Sequence, residues 1–208
     1  MPIAPKDALI VVDVQVDFVS GALAVPGGEV VIPPINRLAS AFDHVIVTTD
    51  WHPADHISFV SSHPGKQVGD RIRTSYGEQT LHVAHCVQGT PGAELDPRLE
   101  LTKAELIVRK GYRRDTESYS AFYDGAGNAT GLGAYLKARG FERVFCVGLA
   151  RYVCVLNTAL GAARDGFDTY IVTDASAGDY DVEANNARLV AAGVKWTNSA
   201  EILALQAA

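Results

Sequence analysis

Residues 8–12 read Ala-Leu-Ile-Val-Val, and Asp13 follows them directly. So short an apolar run does not make a helix, and it does not alternate with polar residues. It therefore predicts a β-strand buried on both faces. Similar runs occur at His44–Val47, Leu106–Val108, Val144–Val147 and Tyr170–Val172, with a weaker one at Val194–Trp196. Helical patterns fall between them, over Val30–Phe42, Leu132–Arg139, Cys154–Asp165 and Val182–Ala192. Gly140, Gly166 and Gly193 stand just past the last three, where a helix C-terminus favours φ > 0. This alternation predicts an α/β fold: a doubly wound parallel sheet in three layers, helices above and below. The segment from Trp51 to Glu105 lacks periodicity and is rich in His, Gly, Pro, Ser and Tyr. A stretch of that length without a pattern is usually functional. No internal repeat interrupts the chain, and residues 1–208 read as one domain.

The bulk composition narrows the function. The chain has 208 residues, 48% hydrophobic and 20% charged, with a formal net charge of −6. That balance argues against nucleic acid as a partner and favours a small, weakly charged ligand. Three cysteines at wide spacing (Cys86, Cys146 and Cys154) make no disulfide framework and point to a reducing compartment. The N-terminus lacks the pattern of a signal peptide, and no apolar run approaches the ~20 residues of a membrane span. The expectation is a cytoplasmic protein with no membrane partner. Its oligomeric state, a homo-oligomer included, is left open.

In open parallel sheets, ligands bind beyond the carboxyl ends of the strands. Four predicted strands deliver a reactive residue to that edge: Asp13, Asp50, Lys110 and Cys154. Each has a plain structural reading alone, as a turn-capping acid, a surface lysine or a small buried hydrophobe. Their coincidence at one edge favours chemistry. Cys146 lies inside a strand and reads as core. Cys154 opens a helix, where the N-terminus and a cation such as Lys110 are expected to lower its pKa and make a nucleophilic thiolate. Asp13 could take the thiol proton and return it to a leaving amine. Asp50 and His52, with His85 further on, form a donor set suited to Zn²⁺, Mn²⁺ or Fe²⁺. His56 or Asp55 could support such ligands from behind. His44 and His63 have no such context and read as loop residues.

Collinear blocks then carry a resemblance: ALIVVDVQVDF (8–18), GALAVPGGEVVIPPINRL (21–38), TTDWHPADHISF (48–59), HCVQGTPGAEL (85–95), VRKGYRRDTESYSAF (108–122) and CVGLARYVCV (146–155). Together they resemble the nicotinamidase branch of the isochorismatase-like cysteine hydrolases. The resemblance implies a catalytic triad of Asp13, Lys110 and Cys154. It implies an oxyanion hole from the N–H groups of Ala150 and Cys154, with a cis peptide before Ala150. It implies a divalent transition metal, zinc first and manganese or iron as alternatives, on Asp50, His52 and His85, with His56 joining in some members. The implied reaction is hydrolysis of a small amide through a thioester, with the metal binding the pyridine nitrogen of nicotinamide.

Three positions depart from the family pattern. His82 stands where a tryptophan is common, Arg151-Tyr152 where Thr-Asp is usual, and Val16 where an asparagine is usual. All three are expected to line the pocket, so the expectation is an altered amide preference on retained machinery, with neutral drift as the alternative. The arginine would either add positive charge beside the thiol or point to bulk solvent. Phe18 is expected to wall the pocket, and Tyr119 to pack in the core. Competing readings are a related amidase on other aryl, carbamoyl or aliphatic amides, a nucleotide-binding module, and an inactive scaffold. The acidic loop Asp13–Asp17 speaks against phosphate binding.

Overall fold

The first strand, β1 (Asp7–Val12), is buried along its whole length, as its unbroken apolar run requires. A short helix, α1 (Val16–Val19), follows, and then α2 (Ile32–Ala41) leads into β2 (Val45–Asp50). A hairpin of β3 (Arg71–Thr74) and β4 (Gly77–Thr80) precedes β5 (Ala104–Lys110). The remaining elements are α3 (Leu132–Ala138), β6 (Arg143–Gly148), α4 (Leu156–Arg164), β7 (Asp168–Ser176), α5 (Val182–Ala191), β8 (Lys195–Thr197) and α6 (Ser199–Leu203). This computed structural model describes residues 2–204.

The central sheet has six strands in the order β5-β2-β1-β6-β7-β8, all parallel. Side chains of β1 alternate between its two faces. Ala8, Ile10 and Val12 join one core with Leu132 and Leu136 of α3, Leu156 of α4 and Leu189 of α5. Leu9 and Val11 join the other with Ile35 and Leu38 of α2 and Ile202 of α6. Each fully buried aliphatic side chain contributes about 1.5–3 kcal/mol of transfer free energy. The fold is thus the three-layer α/β arrangement expected.

The chain winds outward from β1 through β2 to β5, then returns to place β6 on the other side of β1. The order reverses between β1 and β6, and a crevice opens beyond the carboxyl ends of these two strands. Close approach there depends on Gly148, the last residue of β6, at φ +112°. A Cβ at that position would lie 2.1 Å from the Val12 carbonyl oxygen.

Three local expectations are corrected. The segment after Trp51 is not wholly irregular, since it holds the β3–β4 hairpin. At the sheet edge, β5 is covered on one face only: Glu105, Ile107 and Arg109 are exposed while Val108 and Lys110 are buried. Regular α4 begins at Leu156, and Cys154 lies in a wide π-helical turn, Arg151–Val155, ahead of it. Among the described residues, no helix is long and apolar enough to cross a membrane.

Candidate active site

The crevice gathers the residues that end the strands. Asp13 follows β1 with a left-handed backbone, φ +50°. Thr48 Oγ1 donates to its Oδ1 at 2.6 Å. Lys110, the last residue of β5, is only 1% exposed. Its Nζ lies 2.7 Å from Asp13 Oδ2, contacts Asp50 Oδ1, and donates to the Ser118 carbonyl at 3.1 Å. The Cys154 sulfur is 3.5 Å from the same ammonium, and it lies within 4.8 Å of a carboxylate oxygen of Asp13 and of Asp50. Asp50 ends β2. The side chain of Gln15 fixes its backbone, accepting from the Asp50 N–H at 2.7 Å and donating to the Asp50 carbonyl at 2.8 Å. The Leu149–Ala150 peptide is cis, and the Ala150 carbonyl accepts from the N–H groups of Val153 and Val155 within the turn that carries Cys154.

Charge is balanced inside this buried cluster. Burial raises the Asp13 carboxyl to about 6 against the pull of Lys110, and the neighbouring charge of Asp50 adds to the rise. Burial would also raise Asp50, but the ammonium of Lys110 and then His52 outweigh it and hold this carboxyl well below the usual range. Lys110 stays charged because its two carboxylates overcome the desolvation that disfavours an ammonium. The expectation of an acidified thiol is corrected. Burial pushes the Cys154 thiol well above its ordinary value, and the attraction of Lys110 is opposed by Asp13 and Asp50. The resting side chain of Cys154 is therefore a thiol, with the Asp13 carboxylate and the Lys110 ammonium beside it.

Beside this triad, single donor atoms of Asp50, His52 and His85 lie within 4.8 Å of one another, all three residues buried. The Nδ1 of His52 lies 2.9 Å from the Gly111 carbonyl, and that of His85 lies 2.8 Å from the Val83 carbonyl. Donation of each Nδ1–H to a carbonyl leaves each Nε2 with a free lone pair, the arrangement typical of metal-ligating histidines. The His52 Nε2 is buried and has no hydrogen-bond partner. Although burial disfavours a charged imidazole there, Glu117 and Asp50 raise His52 to about 9. The site thus attracts positive charge where that lone pair points, and the residues fit a divalent cation. Gly111 makes room for the imidazole, since a Cβ at 111 would sit 2.3 Å from His52 Cε1.

Glu117 was not singled out from the sequence. It is 3% exposed and lies 3.9 Å from both His52 Nε2 and His56 Nδ1. His56 is buried with its Nδ1 at 2.7 Å from Ser58 Oγ and its Nε2 at 3.4 Å from the Thr116 carbonyl. Its ring packs against that of His52, with centroids 4.2 Å apart.

A cavity of about 290 Å³ opens onto both groups and is lined by Phe18, His82, Tyr119, Ala150, Cys154 and the segments 23–26 and 178–180, among others. Phe18 takes its expected place. Tyr119, expected in the core, reaches the cavity while its hydroxyl accepts from Gln79 at 2.8 Å. Of the three departures from the family pattern, only His82 lines the cavity. Arg151 does not flank the thiol and is only partly exposed to solvent. Its donors are satisfied by Asp179 at 2.6 Å, the Thr173 carbonyl at 2.7 Å and the Ser176 carbonyl. Tyr152 is buried behind the turn, its hydroxyl donating to Asn186 at 2.9 Å and its ring facing Trp196. Val16 opens α1 away from the cavity, with its N–H bonded to the Glu94 carbonyl. The expectation that Arg151, Tyr152 and Val16 contact substrate is thus corrected.

Comparison with known proteins gives a consistent picture. Residues 7–201 match the isochorismatase domain model. A nicotinamidase of Acinetobacter baylyi is 47% identical over 201 residues, covering 94% of each chain. Among solved structures, an Acinetobacter baumanii nicotinamidase/pyrazinamidase superposes with a TM-score of 0.92 at 43% identity, covering 95% of this chain and 98% of that one. A pyrazinamidase of Pyrococcus horikoshii in complex with zinc gives a TM-score of 0.77 at 35% identity, over 93% of this chain and 99% of that one.

Proposed function

The chain belongs to the isochorismatase domain family, and on that premise we propose that it is a cysteine amidohydrolase that converts nicotinamide and water to nicotinate and ammonia. The observation that carries this reading is the meeting of Asp13, Lys110 and Cys154 directly beside Asp50, His52 and His85, with Cys154, Asp50 and His85 lining one cavity of about 290 Å³. That volume suits a single aromatic ring bearing a carboxamide. The 47% identity to a nicotinamidase over nearly the whole chain supports the same substrate.

Asp50, His52 and His85 would hold a divalent metal, zinc by analogy with the pyrazinamidase complex, and the metal would supply a Lewis acid that orients the substrate ring. The chemistry of the chain's own residues runs as follows. With substrate bound, Asp13 accepts the Cys154 proton, and the sulfur attacks the carboxamide carbon. The N–H groups of Ala150 and Cys154 hold the resulting oxyanion. Asp13, now protonated, delivers its proton to the departing nitrogen, and ammonia leaves behind a thioester on Cys154. Water then gives a proton to Asp13 as it attacks the thioester. The acid is released, and the proton returns to sulfur. Lys110 keeps its charge throughout and limits the cost of placing two carboxylates next to a forming thiolate.

The test is hydrolysis of nicotinamide by the purified protein, with ammonia and nicotinate both quantified. Stoichiometric formation of the two products, lost in Cys154→Ala, is expected. Absence of turnover in metal-replete protein, or undiminished turnover in Cys154→Ala, would overturn the reading.

A further inference from the structure

Arg151 is one residue beyond Ala150 and three before Cys154, yet its side chain turns away from the cavity and is 20% exposed. The reason lies in the neighbouring strand. Pairing of β6 with β7 runs from Cys146 opposite Ile171 to Gly148 opposite Ser176, so β7 bulges over the residues between. A bulge takes backbone carbonyls out of the ladder. The guanidinium of Arg151 collects one of them, donating to Thr173 O at 2.7 Å, and donates also to the carbonyl of Ser176, where the pairing resumes. It also donates to Ser176 Oγ at 3.2 Å and to Asp179 Oδ1 at 2.6 Å, while the Arg151 backbone N–H donates to Ala177 O at 2.6 Å. Residue 151 thus grips the end of β7 and the loop that continues it.

That loop is a wall of the cavity, through Gly178, Asp179 and Tyr180. It packs on the nucleophile turn with no room to spare, since a Cβ at Gly178 would lie 2.8 Å from Ala150 Cβ and 2.6 Å from Val25 Cγ1. Any movement of the loop is therefore felt at Ala150. We propose that Arg151 is a positioning residue for amide hydrolysis, which ties the bulged end of β7 and Asp179 to the turn that presents the Ala150 and Cys154 N–H groups to the substrate oxygen. The inference rests on the preceding reading of those N–H groups. It assigns the exchange of the family's usual threonine for arginine a role in holding the oxyanion site, although the side chain touches no substrate.

The experiment compares wild type with Arg151→Ala, Arg151→Lys and Asp179→Ala. Each protein is measured for kcat and KM on nicotinamide and for the affinity of pyridine-3-carbaldehyde. The thiol of Cys154 adds to that carbonyl, and the resulting hydroxyl oxygen occupies the oxyanion position. A 1 Å displacement of reacting groups costs up to ~100-fold in rate. Arg151→Ala is expected to lower kcat and aldehyde affinity in parallel, roughly ten- to a hundred-fold, with KM changing less than about three-fold. Metal content and Tm, measured alongside, are expected to stay near wild type. Arg151→Lys should recover part of the loss, and Asp179→Ala should show a smaller loss in the same direction. Wild-type kcat and aldehyde affinity in Arg151→Ala, a change in KM alone, or a loss matched by the unfolded fraction would each overturn the proposal. Should Arg151→Ala not fold, wild-type values in both Arg151→Lys and Asp179→Ala would do so. Were wild type inactive on nicotinamide, the functional reading would fail, while the aldehyde series would still report on Arg151.

Discussion

The ammonium of Lys110 lies 3.5 Å from the sulfur of Cys154 and 2.7 Å from Asp13 Oδ2. A buried lysine so placed is the counter-charge that lets two carboxylates and a nucleophile share one crevice. Replacing Lys110 by Met keeps the volume but leaves Asp13 and Asp50 buried without the ammonium between them. Removing one member of a buried ion pair costs about 3–5 kcal/mol. Lys110→Met is expected to lose about that much stability in urea melts and to lose roughly 100- to 1,000-fold in kcat. Wild-type stability with wild-type turnover would remove Lys110 from the mechanism.

The acid limb of activity follows from Asp13. Its carboxyl is raised to about 6 chiefly by burial, and it must be ionised to accept the thiol proton. Below that pH the protonated fraction grows and the base is lost. The value of kcat/KM should therefore fall as pH drops, with a midpoint near 6, and should plateau above it. The pH–rate profile checks this. Asp13→Asn should be inactive across the whole range.

Metal binding should separate the two neighbouring histidines. The Nε2 of His52 is buried without a hydrogen-bond partner, whereas both ring nitrogens of His56 already face Ser58 and Thr116. His52→Ala and His85→Ala are expected to purify with little bound metal by elemental analysis, and His56→Ala with close to the wild-type amount. Chelation of the wild type should abolish activity and lower stability by roughly 2–4 kcal/mol, because a ligand that binds only the folded state stabilises it. Zinc, manganese or iron should restore both.

Much of this site is legible in the sequence, for physical reasons. Strands buried on both faces leave unbroken apolar runs, and the residue after each run falls at the carboxyl edge. Asp13 follows its run directly, Asp50 and Lys110 close their strands within three residues of theirs, and Cys154 lies in the turn beyond β6, so all four fall at that edge by position. Glu117 could not be found that way, because it sits in an irregular segment and meets His52 and His56 only when the chain folds back on itself. The directions of Arg151 and Tyr152 are not legible, because proximity to Cys154 in sequence does not fix side-chain direction in a wide turn. The bulge in β7 decides where Arg151 points, and no local pattern announces it. The thiol's protonation is hidden for a related reason: the helix start and Lys110 are visible in sequence, but burial beside two carboxylates is a property of the fold.

His82 is where ring recognition can differ from the family pattern. It lines the cavity with its ring edge-on to His85, centroids 6.0 Å apart. An aromatic pair contributes about 0.5–1.5 kcal/mol beyond area burial. His82→Trp is expected to lower KM for nicotinamide by about two- to ten-fold while slowing turnover of bulkier aryl amides, with kcat for nicotinamide nearly unchanged. Steady-state kinetics on both substrates check this, and an unchanged KM ratio would exclude His82 from ring recognition.

Trapping the covalent intermediate tests the Cys154 thioester itself. Wild-type protein would be mixed with nicotinamide, acid-quenched during turnover, and digested for mass mapping of Cys86, Cys146 and Cys154. A nicotinoyl group on the Cys154 peptide alone, absent from Asp13→Asn and from protein mixed with nicotinate, is the expected result. Steady turnover with no acyl group on Cys154, or with the group on either other cysteine, would contradict it.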